Sequence, residues 1–450
     1  MTALREKFYR NLYRSYHQGA GVGHFITERV SSSGWFLIGL FGVSVVMSGN
    51  LGQSVVILLS ALLAGVLAIA FFWAVLRRGQ VSTKRILPPT ASVGDDLTYR
   101  VRVTNQGKRT LHDIALKESS DDPRPGIWEF LNLTEPGEEK RNLFDRIFVF
   151  YRWKWLSEGG GRWETQEMSE GFSLKPGESS EMTLRLLPLR RGVIELWDLR
   201  VLLPDPFGLF QRSRPSVSPS QEVLVLPRRY SLPAIELGGQ SELKVGGETA
   251  STQRGEGGEF LGLREYRPGD PMRKIHWKSW ARTGIPVVKQ HEQNRFARYG
   301  LILDTKLDGS SPEIFEECVS VAASFVSTMD KSRCLLDLMF VRDQPQVYTA
   351  GRGVAKASEL MEVLARVEAS DVSGYEALTV LISKYAAEMS AAVVVLSGWD
   401  EERDTFIKKL RASGLELKVF AVLGAGLSAG AGIHSLHLGE IEKDLLASVS

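Results

Sequence analysis

QSVVILLSALLAGVLAIAFFWAVL, Gln53 to Leu76, is an uncharged apolar run, and nothing after it in the chain compares with it. As a helix it would be roughly 36 Å long, enough to cross a hydrocarbon core of about 30 Å with some tilt. Before it stands SSSGWFLIGLFGVSVVMSG, Ser31 to Gly49. This run reaches roughly 28 Å only with its serines counted, so it reads as a short span or a re-entrant segment. SGNLGQ between the two supplies turn residues and no charge, which predicts a tight transmembrane hairpin over 34–76. Gly39 and Gly42 on one arm, with Ala61, Gly65 and Ala68 on the other, are expected to let the two backbones approach closely. The length of the second run disfavours a buried hairpin of a soluble core. A polar leader with no small-x-small cleavage pattern after the first run disfavours a signal peptide.

The flanks give the expected orientation. Arg5, Lys7, Arg10, Arg14 and Arg29 precede the hairpin and Arg77, Arg78, Lys84 and Arg85 follow it, whereas the turn has no cation. Both termini are therefore expected on the cytoplasmic side of the inner membrane, in a multi-pass protein. Only two cysteines, Cys318 and Cys334, occur, which fits a reducing compartment and gives no disulfide framework. In the leader, residues 1–33, Leu4, Phe8 and Leu12 share a helical stripe that could lie along the inner membrane surface. A net charge of +2 argues against a dedicated nucleic-acid binder, and 450 residues allow two or three domains.

Beyond the hairpin the apolar period becomes two. Leu97, Tyr99, Val101 and Val103 alternate with polar residues, Asn105-Gln106-Gly107 marks a turn, and Leu111, Ile114 and Leu116 lead into a return strand, which reads as a β-hairpin. Strands are also expected at 181–187, 193–199 and 222–226, so residues 77–228 read as a small antiparallel, Ig-like β-sandwich. Within it the stretch 144–163 packs Phe148, Phe150, Tyr151, Trp153 and Trp155 beside Arg146, Arg152 and Lys154. FVFYRWKW alternates like a strand, so a long hairpin packed on the sandwich is the expectation, with contact to headgroups or a partner as the alternative. Residues 229–258 are assigned to a flexible linker, on the Gly- and Ser-rich composition of Leu237 to Gly258.

The region 293–450 alternates strand and helix. Apolar strands at 299–303, 335–341, 391–396 and 417–423 are separated by helical patterns at 314–329, 354–367, 376–387 and 401–412. This is the pattern of a doubly wound parallel sheet, whose ligands meet the carboxyl ends of the strands, and Asp304 stands at the first such end.

Between sandwich and sheet lies GGEFLGLREYRPGDPMRKIHWKSWARTGIPVVKQHE, Gly257 to Glu292, with the charged segment proper at 259–292. Glu259, Glu265 and Asp270 alternate with Arg264, Arg267, Arg273, Lys274, Lys278 and Arg282, while Tyr266, Trp277 and Trp280 supply apolar anchors. Such a stretch either pairs internally or presents guanidinium forks to an acidic or phosphorylated partner.

Here the chain resembles the family catalogued as domain of unknown function 58. The resemblance rests on Arg264-Glu265-Tyr266-Arg267-Pro268-Gly269-Asp270, Arg273, Ile275-His276-Trp277-Lys278 and Ala281-Arg282-Thr283. Upstream it is supported by Arg191-Gly192, Asp205-Pro206-Phe207-Gly208-Leu209 and Val225-Leu226-Pro227-Arg228. It implies a membrane-tethered protein with a β-sandwich and a von Willebrand factor A-like domain, working with a MoxR-type AAA ATPase in protein assembly or maturation, and it brings no enzymatic reaction. Residues 144–163 look like an insertion relative to that pattern.

Von Willebrand A-like domains commonly bind magnesium through an Asp-x-Ser-x-Ser loop, a Thr and a later Asp. This chain reads Asp304-Thr305-Lys306-Leu307-Asp308, then Ser373-Gly374-Tyr375 and Ser397-Gly398-Trp399-Asp400. The metal site is expected to be lost, with Lys306 as a tethered cation offsetting Asp304 and Asp308. The glycines at 424, 426 and 430 follow a strand without the rest of a dinucleotide-binding unit. No zinc or nucleotide-hydrolysis motif is present, and His276 lacks a nucleophile at readable spacing. The expectation is a non-enzymatic adaptor at the membrane, with no cofactor, no nucleic acid and no small-molecule substrate identified. The competing readings are a scaffold whose charged segment clamps its own domains and, more remotely, a Cys-His hydrolase using Cys318 or Cys334.

Overall fold

A computed structural model describes the chain except for residues 1–2, 28, 52–53, 78, 119–123, 136, 160, 168–170, 217, 233–259, 292–296, 308–311, 330–333, 343, 352–355, 371–372, 425 and 450. The Gly- and Ser-rich linker sequence, Glu259, Glu292 and Asp308 lie outside the described residues, as do the side chains of Leu4 and Arg5. The chain forms two units, Met1–Arg228 and Arg229–Ser450.

The first unit begins with three helices, α1 (Ala3–Thr27), α2 (Ser32–Leu51) and α3 (Ser54–Leu76). Of these, α2 and α3 are long and apolar enough to cross a membrane. They pack together, but not through the small residues expected to face the contact. A methyl group built on Gly39, Gly42 or Gly65 would meet nothing within 4 Å, and Ala61 and Ala68 are exposed. The buried positions are instead Ser44, Leu63, Ala70 and Ala74.

The sandwich follows in chain order. It starts with β1 (Val81–Ile86), β2 (Thr90–Ser92), β3 (Leu97–Asn105) and β4 (Leu111–Glu118). A helical insertion interrupts it: α4 (Ile127–Asn132), α5 (Leu143–Phe148) and α6 (Phe150–Gly159). It continues through β5 (Trp163–Glu167), β6 (Phe172–Leu174), β7 (Ser179–Pro188), β8 (Gly192–Leu196), β9 (Leu199–Pro204), β10 (Gln211–Pro215) and β11 (Gln221–Leu226). The sheets are ordered β1-β3-β7-β5, β10-β9-β4-β6 and β2-β11-β8. The strands β3 and β4 alternate as their sequences predict, yet they do not pair as a hairpin. They lie in different sheets and turn their apolar faces into one core, where Tyr99, Val101, Ile114, Leu116, Leu184 and Leu196 meet. Buried Asn105 makes the crossover, donating to the carbonyls of Arg109 (2.9 Å) and Leu174 (3.1 Å) while accepting from Gly107 N (2.9 Å). Arg85, one of the cations that follow the hairpin, is buried against Glu118 (Nη2–Oε1 2.6 Å), to which the Tyr99 hydroxyl donates at 2.9 Å.

Most of the segment 144–163 is helical (α5 and α6), not a strand hairpin, and only its last residue, Trp163 at the start of β5, is among the buried residues of the sandwich core. Trp153 and Val149 join Phe130 of α4 and Tyr9 of α1 in a small separate core, bordered by Leu12, Tyr13, Tyr16 and Ala20. The apolar stripe of α1 thus runs through residues 9, 12, 13, 16 and 20, and Phe8 is left exposed.

The second unit opens with β12 (Phe260–Glu265), α7 (Trp277–Thr283) and β13 (Val287–His291), where β12 and β13 form an antiparallel pair. The α/β region comprises β14 (Arg298–Leu303), α8 (Pro312–Met329), β15 (Leu335–Val341), β16 (Pro345–Ala350), α9 (Ala357–Arg366), α10 (Tyr375–Tyr385), β17 (Ala391–Leu396), α11 (Glu401–Ala412), β18 (Leu417–Leu423), β19 (His434–His437) and α12 (Ile441–Val449). Its sheet is ordered β16-β15-β14-β17-β18-β19 and is parallel except for the edge strand β16. Helices cover both faces. Ile382 of α10 and Phe406 of α11 pack with Ile302 and Val394 on one side, and Phe325 of α8 meets Phe420 of β18 at 5.1 Å between ring centroids. Tyr230, within the expected linker, is buried against α8: its N–H donates to Ser324 Oγ (2.8 Å) and its hydroxyl to Glu317 (2.5 Å).

Candidate functional site

The strand order places β14 between β15 and β17, so the chain reverses direction across the sheet at the carboxyl end of β14. In such sheets this crevice is where ligands bind. Asp304 stands there, 2% exposed. Its Oδ1 accepts from Lys306 N (3.0 Å), and its Oδ2 accepts from Ser397 N (3.1 Å), Ser397 Oγ (2.9 Å), the Tyr375 hydroxyl (3.0 Å) and Arg403 Nε (2.8 Å). Three loops that sequence reading had associated only by analogy therefore converge on one carboxylate. Gly374 is required in this arrangement, because a Cβ there would stand 2.7 Å from the Val341 side chain. Burial and the neighbouring Asp304 raise the Tyr375 hydroxyl far above the ordinary tyrosine range, so it remains a donor.

The cation facing Asp304 is Arg403 on α11, also 2% exposed, and not Lys306 as expected. Arg403 further bonds Asp400, the Ser397 hydroxyl (2.9 Å) and the Lys306 carbonyl (3.2 Å). Lys306 sends its Nζ to Glu402 (2.6 Å), which is itself bonded by Ser373. A guanidinium is chosen here on physical grounds: it is planar, always charged and multiply donating, so one side chain can meet two carboxylates and two further acceptors. The Arg403 guanidinium sits on Asp304 Oδ2 and sets a fixed positive charge where a divalent ion would bind, so the described residues do not fit the magnesium site that the family resemblance implies.

The charged segment forms a second cluster. Arg264 on β12 and Asp270 make a two-pronged pair (2.6 and 2.8 Å), and Asp270 also accepts from Arg267 N at 2.9 Å. Hydrogen bonding from Arg264 holds the Asp270 carboxyl below the usual range. The pair closes the Tyr266–Asp270 turn, with Tyr266 N bonded to Pro286 O (2.9 Å). Behind it Ile275 and Val288 are buried, and His276 Nδ1 lies 2.7 Å from Ser279 Oγ at the start of α7. Trp277, 59% exposed, stacks on half-buried Trp280 with ring centroids 5.2 Å apart. Glu265, Arg267, Arg273, Lys274, Lys278 and Arg282 are exposed, and among the described residues none of these five cations has a carboxylate within ion-pair distance. Both cysteines are buried with their thiols directed to backbone carbonyls, Cys318 to Leu396 (3.4 Å) and Cys334 to Met329 (3.7 Å).

Comparison with known proteins agrees with the motif reading. Residues 262–423, from within β12 to the end of β18, match the family described as "Protein of unknown function DUF58". The uncharacterized protein YeaD of Bacillus subtilis (strain 168) is 25% identical over 214 residues, which are 47% of this chain and 50% of that protein. The chain thus spans about half the length of the curated relative it matches. Among solved structures, the CARDB domain of the PF1109 protein from Pyrococcus furiosus shares 10% identity at a TM-score of 0.17, covering 33% of this chain and 89% of that one. A PapD-like domain of human CEP192 shares 14% identity at a TM-score of 0.15, covering 31% and 87%. Scores of that size license no inference.

Proposed function

We propose that this chain is a membrane-anchored, non-enzymatic adaptor of the inner membrane, with both termini in the cytoplasm, that docks an acidic face of a partner protein. The observation that carries the reading is α7 and the turn before it, where exposed Trp277 stacks on half-buried Trp280 and five exposed cations have, among the described residues, no carboxylate within ion-pair distance. Exposed aromatic rings flanked by arginine are the usual composition of energetically dominant contact points. In this reading the α/β region is a von Willebrand A-like domain that works without a metal ion, and the partner is a MoxR-type AAA ATPase engaged in protein assembly or maturation. The asymmetry of cations around the hairpin supports the orientation.

Reversing Arg267 and Arg273 to Glu tests this. Both are exposed, so the variant is expected to keep its thermal midpoint while co-purification with the co-expressed ATPase falls tenfold or more, about 1.4 kcal/mol or greater. Unchanged co-purification rejects the docking surface. The scaffold reading, which the Arg264–Asp270 pair favours, predicts the reverse outcome: intact co-purification and a lower midpoint.

A further inference from the structure

We infer that the junction between α3 and the sandwich is a binding site for one anionic phospholipid, with its acyl chains along α3 and its phosphate on the cations of the β3–β4 crossover. A groove of about 1260 Å³ runs along this junction. Ile69, Phe72, Trp73 and Leu76, from the last two turns of α3, form its apolar wall and are each more than half exposed. The rest of the lining is mostly polar and includes Lys108, Arg109, His112, Arg77 and Arg214.

The two linings demand one amphiphile. The end of an apolar span with a tryptophan marks the boundary between hydrocarbon and headgroups, and cationic pockets beside spans at that boundary bind anionic headgroups. Lys108 and Arg109 are exposed, Arg214 is half-buried, and among the described residues no carboxylate lies in ion-pair range of these three. Of the two carboxylates in the groove, Asp205 already accepts from Phe207 N (2.7 Å) and from Phe210 N, and exposed Asp113 acts electrostatically on Arg77, which leaves Lys108, Arg109 and Arg214 for the phosphate. The cationic loop is also rigid before any ligand arrives, because buried Asn105 ties it at Gly107 and Arg109. Its height against α3 is fixed by Arg77, which donates to the carbonyls of His112 (2.6 Å) and Pro204.

The inference rests on the membrane reading, and the experiment separates the two. Full-length protein in detergent is titrated with phosphatidylglycerol, phosphatidylcholine or glycerol 1-phosphate, and retained ligand is counted by native mass spectrometry. The expected result is one retained phosphatidylglycerol, preferred over phosphatidylcholine by about tenfold or more, and loss of that preference in K108E/R109E. K108Q/R109Q, which removes charge without reversing it, is expected to lose most of it, and circular dichroism verifies that both variants are folded. No preference in the wild type, a preference unchanged in the folded variants, or saturable glycerol phosphate binding without retained lipid overturns the lipid site. Extraction of the native protein from membranes by alkaline carbonate would instead overturn the membrane reading itself.

Discussion

Asp304 and Arg403 are separated by 99 positions in sequence and 2.8 Å in space, and that separation decides what could be read from the residues alone. Lys306 was the natural candidate for a tethered cation because it is two residues from Asp304. On a loop leaving β14, however, its backbone N–H faces the carboxylate while its side chain reaches Glu402. Arg403 lies one turn into α11, whose N-cap Asp400 orients it, and nothing local in ASP-GLU-GLU-ARG announces a target across the sheet. Removing one member of a buried ion pair leaves an uncompensated charge, whereas a partly exposed pair contributes little. Arg403→Leu should therefore destabilise the α/β unit by about 3–5 kcal/mol, and Lys306→Ala by no more than about 1 kcal/mol. Hydrogen exchange of the β14 and β17 amides measures both. Equal effects would mean that Lys306 shares the neutralising role. The double variant D304N/R403L should recover part of the loss, since the stranded charge is gone.

At the scale of elements, strands with one or both faces buried were legible because alternation in β3 and β7 and the apolar runs at 299–303 in β14, 391–396 in β17 and 419–423 in β18 leave few alternatives. The edges were not: β16 and the four-residue β19 carry little apolar signal and depend on the strands beside them. Residues 144–163 fail for another reason. Val149 adopts a left-handed conformation (φ 44°) between α5 and α6, a kink that a β-branched residue does not advertise, and it converts apparent strand alternation into two short helices. What stabilises them is α1 together with α4, for Trp153 meets Tyr13 at 5.7 Å and Tyr16 at 5.8 Å on α1 and Phe130 of α4 at 5.9 Å. Because this core is separate from the sandwich, Trp153→Ala should cost about 3–5 kcal/mol locally and leave sandwich unfolding unchanged. Limited proteolysis is the check, with cleavage in α1 and α6 expected to accelerate first; simultaneous loss of sandwich resistance would show that the two cores are one cooperative element.

At the scale of the first unit, the hairpin is seated on the sandwich rather than hung from it by a tether. The family-like run Asp205–Leu209 forms the seat: Ser31 N donates to Leu209 O (3.0 Å), Ser31 Oγ to Gly208 O (2.6 Å), Gln211 N to Arg29 O (2.9 Å), and Arg212 to Arg77 O (3.1 Å). Backbone meets backbone here, which explains why Gly34 must lack a side chain. A Cβ on Gly34 would stand 2.3 Å from the Leu209 carbonyl oxygen, a distance that neither chain can relieve without moving. Gly34→Ala should therefore displace α2 from the seat and lower stability in detergent by about 1–3 kcal/mol, whereas Gly39→Ala, whose added methyl meets nothing within 4 Å, should not. A cysteine pair placed at positions 31 and 208 gives an independent reading, since cross-linking should be fast in the parent and slow after Gly34→Ala. The same displacement would widen the groove between α3 and the β3–β4 crossover, so Gly34→Ala should also weaken phosphatidylglycerol retention while leaving partner docking through α7 intact. Loss of both together would mean that the seat transmits to the second unit, and loss of neither would mean that α2 is held by its packing on α3 alone.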